Sequence, residues 1–296
     1  MNYYNEIKNK LVNNEIVQRV KDYSKNKSDL NTYYEVGKLL VDAGKYYGEG
    51  IIKQYSIKLT SELGKKYSYR SLNYMVKYYN FQKVQPVAAN LSWSNWIELL
   101  SIKDIDKIYY YIDMCIKYNL SKRGLREKIK SKEYERLPEE TRNKLINKEK
   151  ISVVDYVKNP IIIKNKYDTD EISENMLKQL ILDDISSFMK ELSNGFRFIK
   201  SEYKIKIGEY YHSIDLLLYN IEFNCYVVVE LKVTDLKKDH IGQIEVYMNY
   251  VDKNIKKYNQ NKTIGIIICK RDNKYVIEYC SNPEIISREY ELVGGI

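Results

Sequence analysis

Residues 212–233 read HSIDLLLYNIEFNCYVVVELKV, and they hold two short apolar runs, each beside an acidic residue. Asp215 directly precedes the first run, 216–219, and the second run, 226–231, contains an acid near its end. Short apolar runs bounded by Asn and other polar residues predict the two strands of a hairpin. The three consecutive valines at 227–229 indicate that the second strand is central and buried on both faces.

The second strand ends in Glu230-Leu231-Lys232. Because side chains alternate along a strand, Glu230 and Lys232 point to the same face. Burying a Glu or a Lys without a partner is costly, so the pair needs a physical reason. A divalent metal supplies one, since Asp215 and Glu230 offer the oxygen ligands that suit Mg²⁺. Lys232 would then orient the attacking water, help to deprotonate it and offset the charge that builds on a phosphate.

An ordinary hairpin with charged end residues is the alternative, because Glu-x-Lys is common at the end of a strand. Asp215 and the surrounding elements favour the metal site. Apolar periodicity predicts a helix, a strand or strand pair, the hairpin, a second helix and two further strands. Outside the hairpin these elements cover 171–192, 196–207, 239–253, 263–269 and 275–279. Up to residue 269 the chain order is therefore αβββαβ.

That order, with Asp215, Glu230 and Lys232 in those places, resembles the PD-(D/E)XK nuclease core of restriction enzymes and RecB-type nucleases. Residues 171–280 are similar, more closely, to the YhcG-like family of bacterial PDDEXK nuclease domain-containing proteins. The motifs that carry this resemblance are FMKELSNGFRFIKSEYKIKIGEYYHSIDLLLYN, CYVVVELKV, HIGQIEVYMNYVD, TIGIIICKRDN and VIEYC. In the N-terminal half they are YYEVGKLLVDA, YSYRSLNYMVKYY, LSW and LSKRGLREKI.

The resemblance implies an α+β protein of two domains. The first is an all-α, helix-turn-helix-like domain, and the second is an α/β restriction-endonuclease-like core with a mixed central sheet. It also implies that Asp215 and Glu230 are metal ligands and that Lys232 is the catalytic lysine. Mg²⁺ is the expected cofactor, and Mn²⁺ is expected to substitute for it.

Further site residues come from the helices of the core. Gln243 and Tyr247 fall in GQIEVY, similar to the Q-x-x-x-Y helix motif of RecB-like nucleases, and one helical turn separates them. Both are candidates for contacting the scissile phosphate or the DNA backbone. The alternative for Tyr247 is that its ring packs on the sheet and only Gln243 touches the site. Glu174 is the candidate for an additional acid from the first helix, although the family places an acid about four residues later, where this chain has Lys178.

Charge divides the chain of 296 residues, which carries +9 overall. Residues 1–150 hold 29 Lys and Arg against 18 Asp and Glu, a net of +11, whereas 151–296 hold 20 against 22, a net of −2. This asymmetry fits a basic helical domain over 1–150 that holds a polyanion and a nuclease domain over 171–296 that works on it. The polar stretch 151–170 is interpreted as a linker. General solubility is the alternative explanation for the basic charge.

The N-terminal half is almost wholly helical in its pattern. Helices are predicted over 31–43, ended by Gly44, and over 51–63, ended by Gly64. Two later helices are basic and open on Ser68 and Ser121, which is typical of a helix-turn-helix-like arrangement. The candidate nucleic-acid contacts on them are Arg70, Lys122, Arg123, Arg126 and Lys130. A solvated helix face is the alternative for these cations.

The first functional hypothesis is a Mg²⁺-dependent endonuclease that acts on DNA by in-line attack of water. One site cuts one strand, so double-strand cleavage would need a homodimer or two encounters. The second is a non-catalytic nucleic-acid-binding or adaptor protein that uses the nuclease fold as a scaffold; the intact Asp215, Glu230 and Lys232 set argues against it. A third is a structural partner in a defence or mobile-element system, for which the sequence gives no direct support.

The numbers and spacing of cysteines and histidines exclude some further classes of protein. The four cysteines show no C-x-x-C spacing and the chain has two histidines, which disfavours a zinc site or an HNH-type nuclease. Buried free thiols fit a reducing, cytoplasmic location. The sequence contains neither a signal peptide pattern nor a run of about twenty apolar residues, so no membrane association is expected.

Overall fold

The computed structural model describes residues 3–20, 25–48, 50–87, 91–167, 169, 171–193, 195–280 and 282–294. The chain forms two compact units, Met1–Ser131 and Lys132–Ile296, called here the first and the second unit. Within the described residues no helix is long and apolar enough to span a membrane. Cys225 and Cys269 are buried free thiols, as their predicted strands implied, whereas Cys280, beside another predicted strand, is only partly buried. Cys115 is also a buried free thiol.

Within the described residues, the regular secondary structure of the first unit is entirely helical. Its helices are α1 (Tyr3–Val20), α2 (Lys25–Tyr47), α3 (Gly50–Leu63), α4 (Tyr69–Val84), α5 (Trp93–Leu99), α6 (Ile105–Tyr118) and α7 (Lys122–Lys130). Ser68 and Ser121 cap α4 and α7 through their side chains, as predicted. Gly64 follows the end of α3, as expected. Gly44, which was expected to end a helix, lies inside α2. A glycine within a helix costs only about 1 kcal/mol of stability relative to alanine, so the helix can continue through it.

The second unit contains a six-stranded sheet with helices on both faces. Its helices are α8 (Glu139–Asn147), α9 (Glu174–Asp183), α10 (Ile185–Leu192), α11 (Lys238–Asn254) and α12 (Lys274–Glu278). Its strands are β1 (Ile161–Asn165), β2 (Phe196–Ile207), β3 (Tyr210–Asn220), β4 (Cys225–Leu231), β5 (Ile264–Cys269) and β6 (Ile285–Gly294). The strand order is β1-β6-β5-β4-β3-β2. The sheet is mixed, because β2, β3 and β4 pair antiparallel while β4, β5, β6 and β1 pair parallel.

Two apolar layers cover the sheet. On one face, residues of α9 and α10 such as Leu177 and Phe188 pack on Val227 and Val229 of β4. On the other face, residues of α11 pack on Val228. The central position predicted for β4 is therefore confirmed, and so is the αβββαβ order with its mixed sheet.

Three sequence predictions are corrected here. The helix expected over 171–192 is two helices, because Asp184 leaves the helical conformation and its side chain caps α10. The segment 275–279, expected to be a strand, lies in the short helix α12, and the next strand in the chain is β6.

The third correction concerns the predicted linker over 151–170, which contains β1 paired in parallel with β6. Lys158 in this stretch is 3% exposed and pairs with Glu133 and Glu191 at 3.5 and 3.7 Å. Burial of both strand and lysine makes this stretch part of the second unit. Residues 168 and 170 of the predicted linker lie outside the described residues.

Candidate active site

Asp215 lies where the regular alternation of β3 is interrupted. Ile214 and Leu217 both face α11 although they are three residues apart, so the strand changes phase at Asp215. The Asp215 Oδ2 atom accepts a hydrogen bond from the backbone N–H of Leu231 at 2.9 Å. This bond holds the carboxylate at the end of β4.

Glu230 of β4 is a buried carboxylate whose side chain is 2% exposed. Its Oε2 atom accepts a hydrogen bond from Gln243 Nε2 at 3.1 Å and lies 3.5 Å from Lys232 Nζ. Its Oε1 atom is buried and has no hydrogen-bond partner among the described residues. Burial, followed by the nearby charge of Asp215, raises the pKa of Glu230 to about 8. A buried oxygen of this kind calls for a cation or a proton.

Lys232 follows β4 and lies between two acids. Its Nζ is 3.5 Å from Glu230 Oε2 and 4.0 Å from Glu174 Oε2. Glu174 is the first residue of α9 and its side chain is 49% exposed. The structure therefore brings Glu174 to the site next to the lysine.

Gln243 and Tyr247 lie one turn apart on α11 and are joined by a hydrogen bond. Gln243 Nε2 is 3.2 Å from the Tyr247 hydroxyl oxygen, which accepts from it. The Tyr247 residue is 5% exposed and its ring centroid is 6.2 Å from that of His212. Its ring thus packs in the layer between α11 and the sheet, and its hydroxyl supports Gln243.

Lys178 and Glu202 also lie at the site, although the sequence indicated a role for neither of them. Lys178 Nζ is 2.8 Å from Glu202 Oε1 and 3.5 Å from Asp215 Oδ1. Burial lowers the pKa of Lys178, but its two ion pairs outweigh that effect and leave the pKa raised. Lys178 follows Glu174 by one turn of α9, which is a detectable signal in the sequence. Glu202 becomes a neighbour only through the pairing of β2 with β3.

His240, in the first turn of α11, lies near Lys232. Burial lowers its pKa, and the positive charges of Lys232 and Lys237 act in the same direction. Its Nδ1 accepts a hydrogen bond from the backbone N–H of Lys237 at 3.2 Å. These effects favour the neutral form of the His240 imidazole.

The donor set fits one Mg²⁺ ion. The described residues contain no group of three or more His, Cys, Asp and Glu side chains that could hold a metal. Mg²⁺ typically takes only one or two carboxylates and fills its remaining positions with water and phosphate oxygens. Asp215 and Glu230, with the unpartnered Oε1 atom, meet that requirement.

The cations expected to contact nucleic acid are partly paired in the first unit. Arg126 donates to both carboxylate oxygens of Glu98 at 2.6 and 3.2 Å, and Lys122 Nζ lies 3.8 Å from the same carboxylate. Hydrogen bonding by Arg126 lowers the pKa of Glu98, with further contributions from Lys122 and Arg70. Two of the five cations, both on α7, therefore pair with one acid of α5, whereas Arg70 of α4 hydrogen-bonds to the Tyr74 hydroxyl at 3.5 Å.

The other two predicted cations lie elsewhere on α7. Arg123 Nε is 3.1 Å from Glu127 on the same helix. Lys130 is exposed at the end of the helix. The structure does not place these two in the group around Glu98.

Known families match both parts of the chain. Residues 154–292 match the family model described as the YhcG PDDEXK nuclease domain, and residues 9–136 match the DUF1016 N-terminal domain. A relative from Escherichia coli (strain K12), named "Putative nuclease YhcG", is 23% identical over 290 residues, covering 80% of this chain and 76% of the relative.

Solved structures show a more distant likeness. A repair endonuclease from Pyrococcus abyssi is 18% identical with a TM-score of 0.29, and the match covers 43% of this chain and 50% of that one. A structure of EndoMS in complex with double-stranded DNA is 19% identical with a TM-score of 0.29, covering 44% and 48%. The match spans about half of each of those chains.

Proposed function

Because this chain belongs to the YhcG-like family and carries its PDDEXK nuclease domain, we propose that it is a metal-dependent endonuclease that hydrolyses DNA. The observation that supports metal binding and the hydrolytic mechanism is the buried Glu230 carboxylate. One of its oxygens has no partner among the described residues, although Asp215, Lys232 and Gln243 surround it. A carboxylate that is shielded from water and has one oxygen without a hydrogen-bond partner is suited to binding a cation that arrives with the substrate.

Asp215 and Glu230 would hold the ion, Mg²⁺ or Mn²⁺. When bound, the ion supplies Lewis acidity toward the phosphate and lowers the pKa of a bound water. Lys232 Nζ, 3.5 Å from Glu230, orients the attacking water and offsets the charge that builds on the phosphate. The water loses a proton to solvent and its oxygen forms a bond to phosphorus as the opposite P–O bond breaks in line, and the leaving oxygen takes up a proton from solvent.

Gln243 acts as a positioning residue in this mechanism. Its Nε2 group fixes Glu230 Oε2 and is itself placed by the Tyr247 hydroxyl. The carboxylate is thus held in one orientation before substrate arrives, which reduces the reorganisation needed during the reaction.

The cations that pair with Glu98 in the first unit are proposed to contact the phosphate backbone. Residues 1–131 hold 23 Lys and Arg against 13 Asp and Glu, a net of +10. A positive surface of this kind attracts nucleic acid without reading its sequence. One cleavage site cuts one strand, so cutting both strands of a duplex requires a homodimer or two encounters.

A non-catalytic binding protein is the second candidate, and the ion pair between Lys178 and Asp215 favours it. A lysine that occupies one of the two carboxylates weakens a metal site by direct competition.

The deciding experiment is cleavage of labelled linear duplex, single-stranded DNA, a four-way junction and RNA, with Mg²⁺, with Mn²⁺ or with EDTA. We expect metal-dependent cleavage by the native protein and loss of at least about 100-fold in Asp215→Ala, since one of two metal ligands is removed. Asp183→Asn, which removes an exposed carboxylate of α9, is the matched control and should cut normally. No cleavage by the native protein, with equal salt-dependent DNA binding by native and Asp215→Ala proteins, would instead establish the binding role.

A further inference from the structure

Lys178 is placed to neutralise Asp215. The Asp215 Oδ2 atom is already engaged by the N–H of Leu231, and Lys178 Nζ lies 3.5 Å from the other oxygen, Oδ1. The Lys178 side chain is 15% exposed and that of Asp215 is 22% exposed, so water screens this pair only partly. Both oxygens of the carboxylate therefore have a partner within the protein.

Glu202 offers Lys178 a second anionic partner. Its Oε1 atom is 2.8 Å from Lys178 Nζ, which is closer than Asp215, and its side chain is 63% exposed. Glu202 has a φ of 49°, a left-handed conformation that few non-glycine residues adopt. It lies between Ser201 and Tyr203, whose partners on β3 flank Asp215.

We infer that Lys178 is an internal counter-ion that competes with the divalent cation for Asp215, and that Glu202 takes up Lys178 when the cation binds. This inference rests on the proposed metal-dependent function. A lysine suits the role, because its flexible stem lets the ammonium group move between two acids. A cation arriving at Asp215 meets a positive charge a few ångströms away, which weakens its binding unless that charge moves toward solvent.

The two partners of Lys178 predict opposite effects on metal affinity. Lys178→Gln removes the competing charge, so we expect Mn²⁺ to bind about tenfold more tightly than to the native protein. Glu202→Gln removes the alternative partner, so that Lys178 pairs only with Asp215. Mn²⁺ should then bind at least about threefold more weakly than to the native protein. The double variant should behave like Lys178→Gln, because Glu202 acts only through the lysine.

The experiment is titration of each protein with Mn²⁺ in the absence of nucleic acid, followed by calorimetry and by the loss of the free-ion electron paramagnetic resonance signal. Lys164→Gln is the matched control, because Lys164 also pairs with an acid of the second unit, Asp184 at 3.1 Å, on the surface. It should leave Mn²⁺ affinity unchanged. Thermal unfolding without metal checks that each variant is folded, and Lys178→Met replaces Lys178→Gln if the latter unfolds.

Equal or weaker Mn²⁺ binding by folded Lys178→Gln overturns the inference. If the native protein binds Mn²⁺ and cuts DNA in that case, the proposed function stands and only the role of Lys178 fails. If no variant binds Mn²⁺ and the native protein cuts nothing, the metal-dependent function itself fails. Detectable binding only after Lys178→Gln supports the inference in its strongest form.

Discussion

Glu230 connects the chemistry of the site with the stability of the fold. Its pKa rises from about 4.5 to about 8, first because it is buried and second because Asp215 is nearby. Folding therefore takes up a proton between these two pH values. A group with a raised folded-state pKa stabilises fully below its unfolded pKa, and this contribution is lost as the pH rises through its folded pKa.

We therefore expect the free energy of unfolding, measured by urea titration in EDTA, to fall from pH 5 to pH 8 by up to a few kcal/mol, at about 1.4 kcal/mol per pH unit for one proton. Glu230→Gln keeps the shape of the side chain without its charge, so its stability should vary less over the same range. Glu209→Gln, in the exposed turn between β2 and β3, is the control and should follow the native curve. Parallel curves for native protein and Glu230→Gln would show that Glu230 is not the group that titrates.

The hydrogen bonds of Gln243 give a prediction about cleavage. A neutral hydrogen bond contributes about 1 kcal/mol, or roughly fivefold in rate, and one to a charged carboxylate contributes about 1.5 kcal/mol or more, or roughly tenfold. Gln243→Leu should reduce kcat by about tenfold, because Glu230 loses its fixed orientation. Tyr247→Phe should reduce it by about threefold, since only the support of Gln243 is lost.

Tyr247 acts only through Gln243 in this scheme, so the Gln243→Leu/Tyr247→Phe double variant should match Gln243→Leu. Single-turnover cleavage by the four proteins tests this. Additive losses would mean that the Tyr247 hydroxyl reaches the substrate by itself.

The sequence could indicate Asp215, Glu230 and Lys232 because strand alternation and the cost of burial act over a few neighbouring residues. It could also place Gln243 and Tyr247 on one face of a helix. The sequence also places Lys178 one helical turn after Glu174, but its contacts with Asp215 and Glu202 depend on the packing of α9 and on the register of β2 with β3, which no local pattern encodes. Their ion pairs therefore emerged only from the structure.

Helices and strands were predictable where a local signal was strong. Ser68 and Ser121 begin helices as expected, and the antiparallel hairpin of β3 and β4 follows from its apolar runs. The break at Asp184 was missed because apolar periodicity continues through it. The strand β1 was missed because its stability comes from pairing with β6, more than a hundred residues later.

The packing of α2 on α4 depends on a glycine. A Cβ atom at Gly37 would lie 2.2 Å from the carbonyl oxygen of Met75 and 2.9 Å from Tyr79 Cβ, whereas a Cβ at Gly44 would meet nothing within 4 Å. Gly37→Ala should therefore destabilise the protein by about 1–3 kcal/mol, because α2 must move away from α4. Gly44→Ala in the same helix should stabilise it by up to about 1 kcal/mol through helix propensity.

Urea unfolding followed by circular dichroism distinguishes these two substitutions. The Gly37→Ala variant should also retain the Mn²⁺ affinity of the native protein, because the metal ligands belong to the second unit. Equal stability of the two variants would mean that α2 and α4 are not held at this distance in solution.

At the scale of the whole molecule, charge is divided between the units. Residues 1–131 carry a net charge of +10, and residues 132–296 hold 26 Lys and Arg against 27 Asp and Glu, a net of −1. In the proposed function, the first unit would supply the long-range attraction for a polyanion and the second unit the acidic site. Binding of nucleic acid should accordingly weaken as salt rises, since counterions are released from the phosphates.

Glu98 sets how much of that positive charge is available. Arg126 and Lys122 are paired with its carboxylate, which partly neutralises the basic surface of α7. Glu98→Gln removes the negative charge and releases both cations, so duplex DNA should bind more tightly. Arg126→Gln should weaken binding and reduce the slope of log K against log salt by about 0.9, the value for one phosphate contact.

Fluorescence anisotropy of the full chain with duplex DNA, in EDTA to prevent cleavage, measures both changes over a range of salt concentrations. Arg123→Gln is the matched control, because Arg123 pairs with Glu127 on the exposed side of α7 and not with Glu98. It should change affinity less than Arg126→Gln. Weaker binding by Glu98→Gln would mean that the ion pair orients Arg126 for the phosphate, so that the acid contributes geometry to the surface and not only opposing charge.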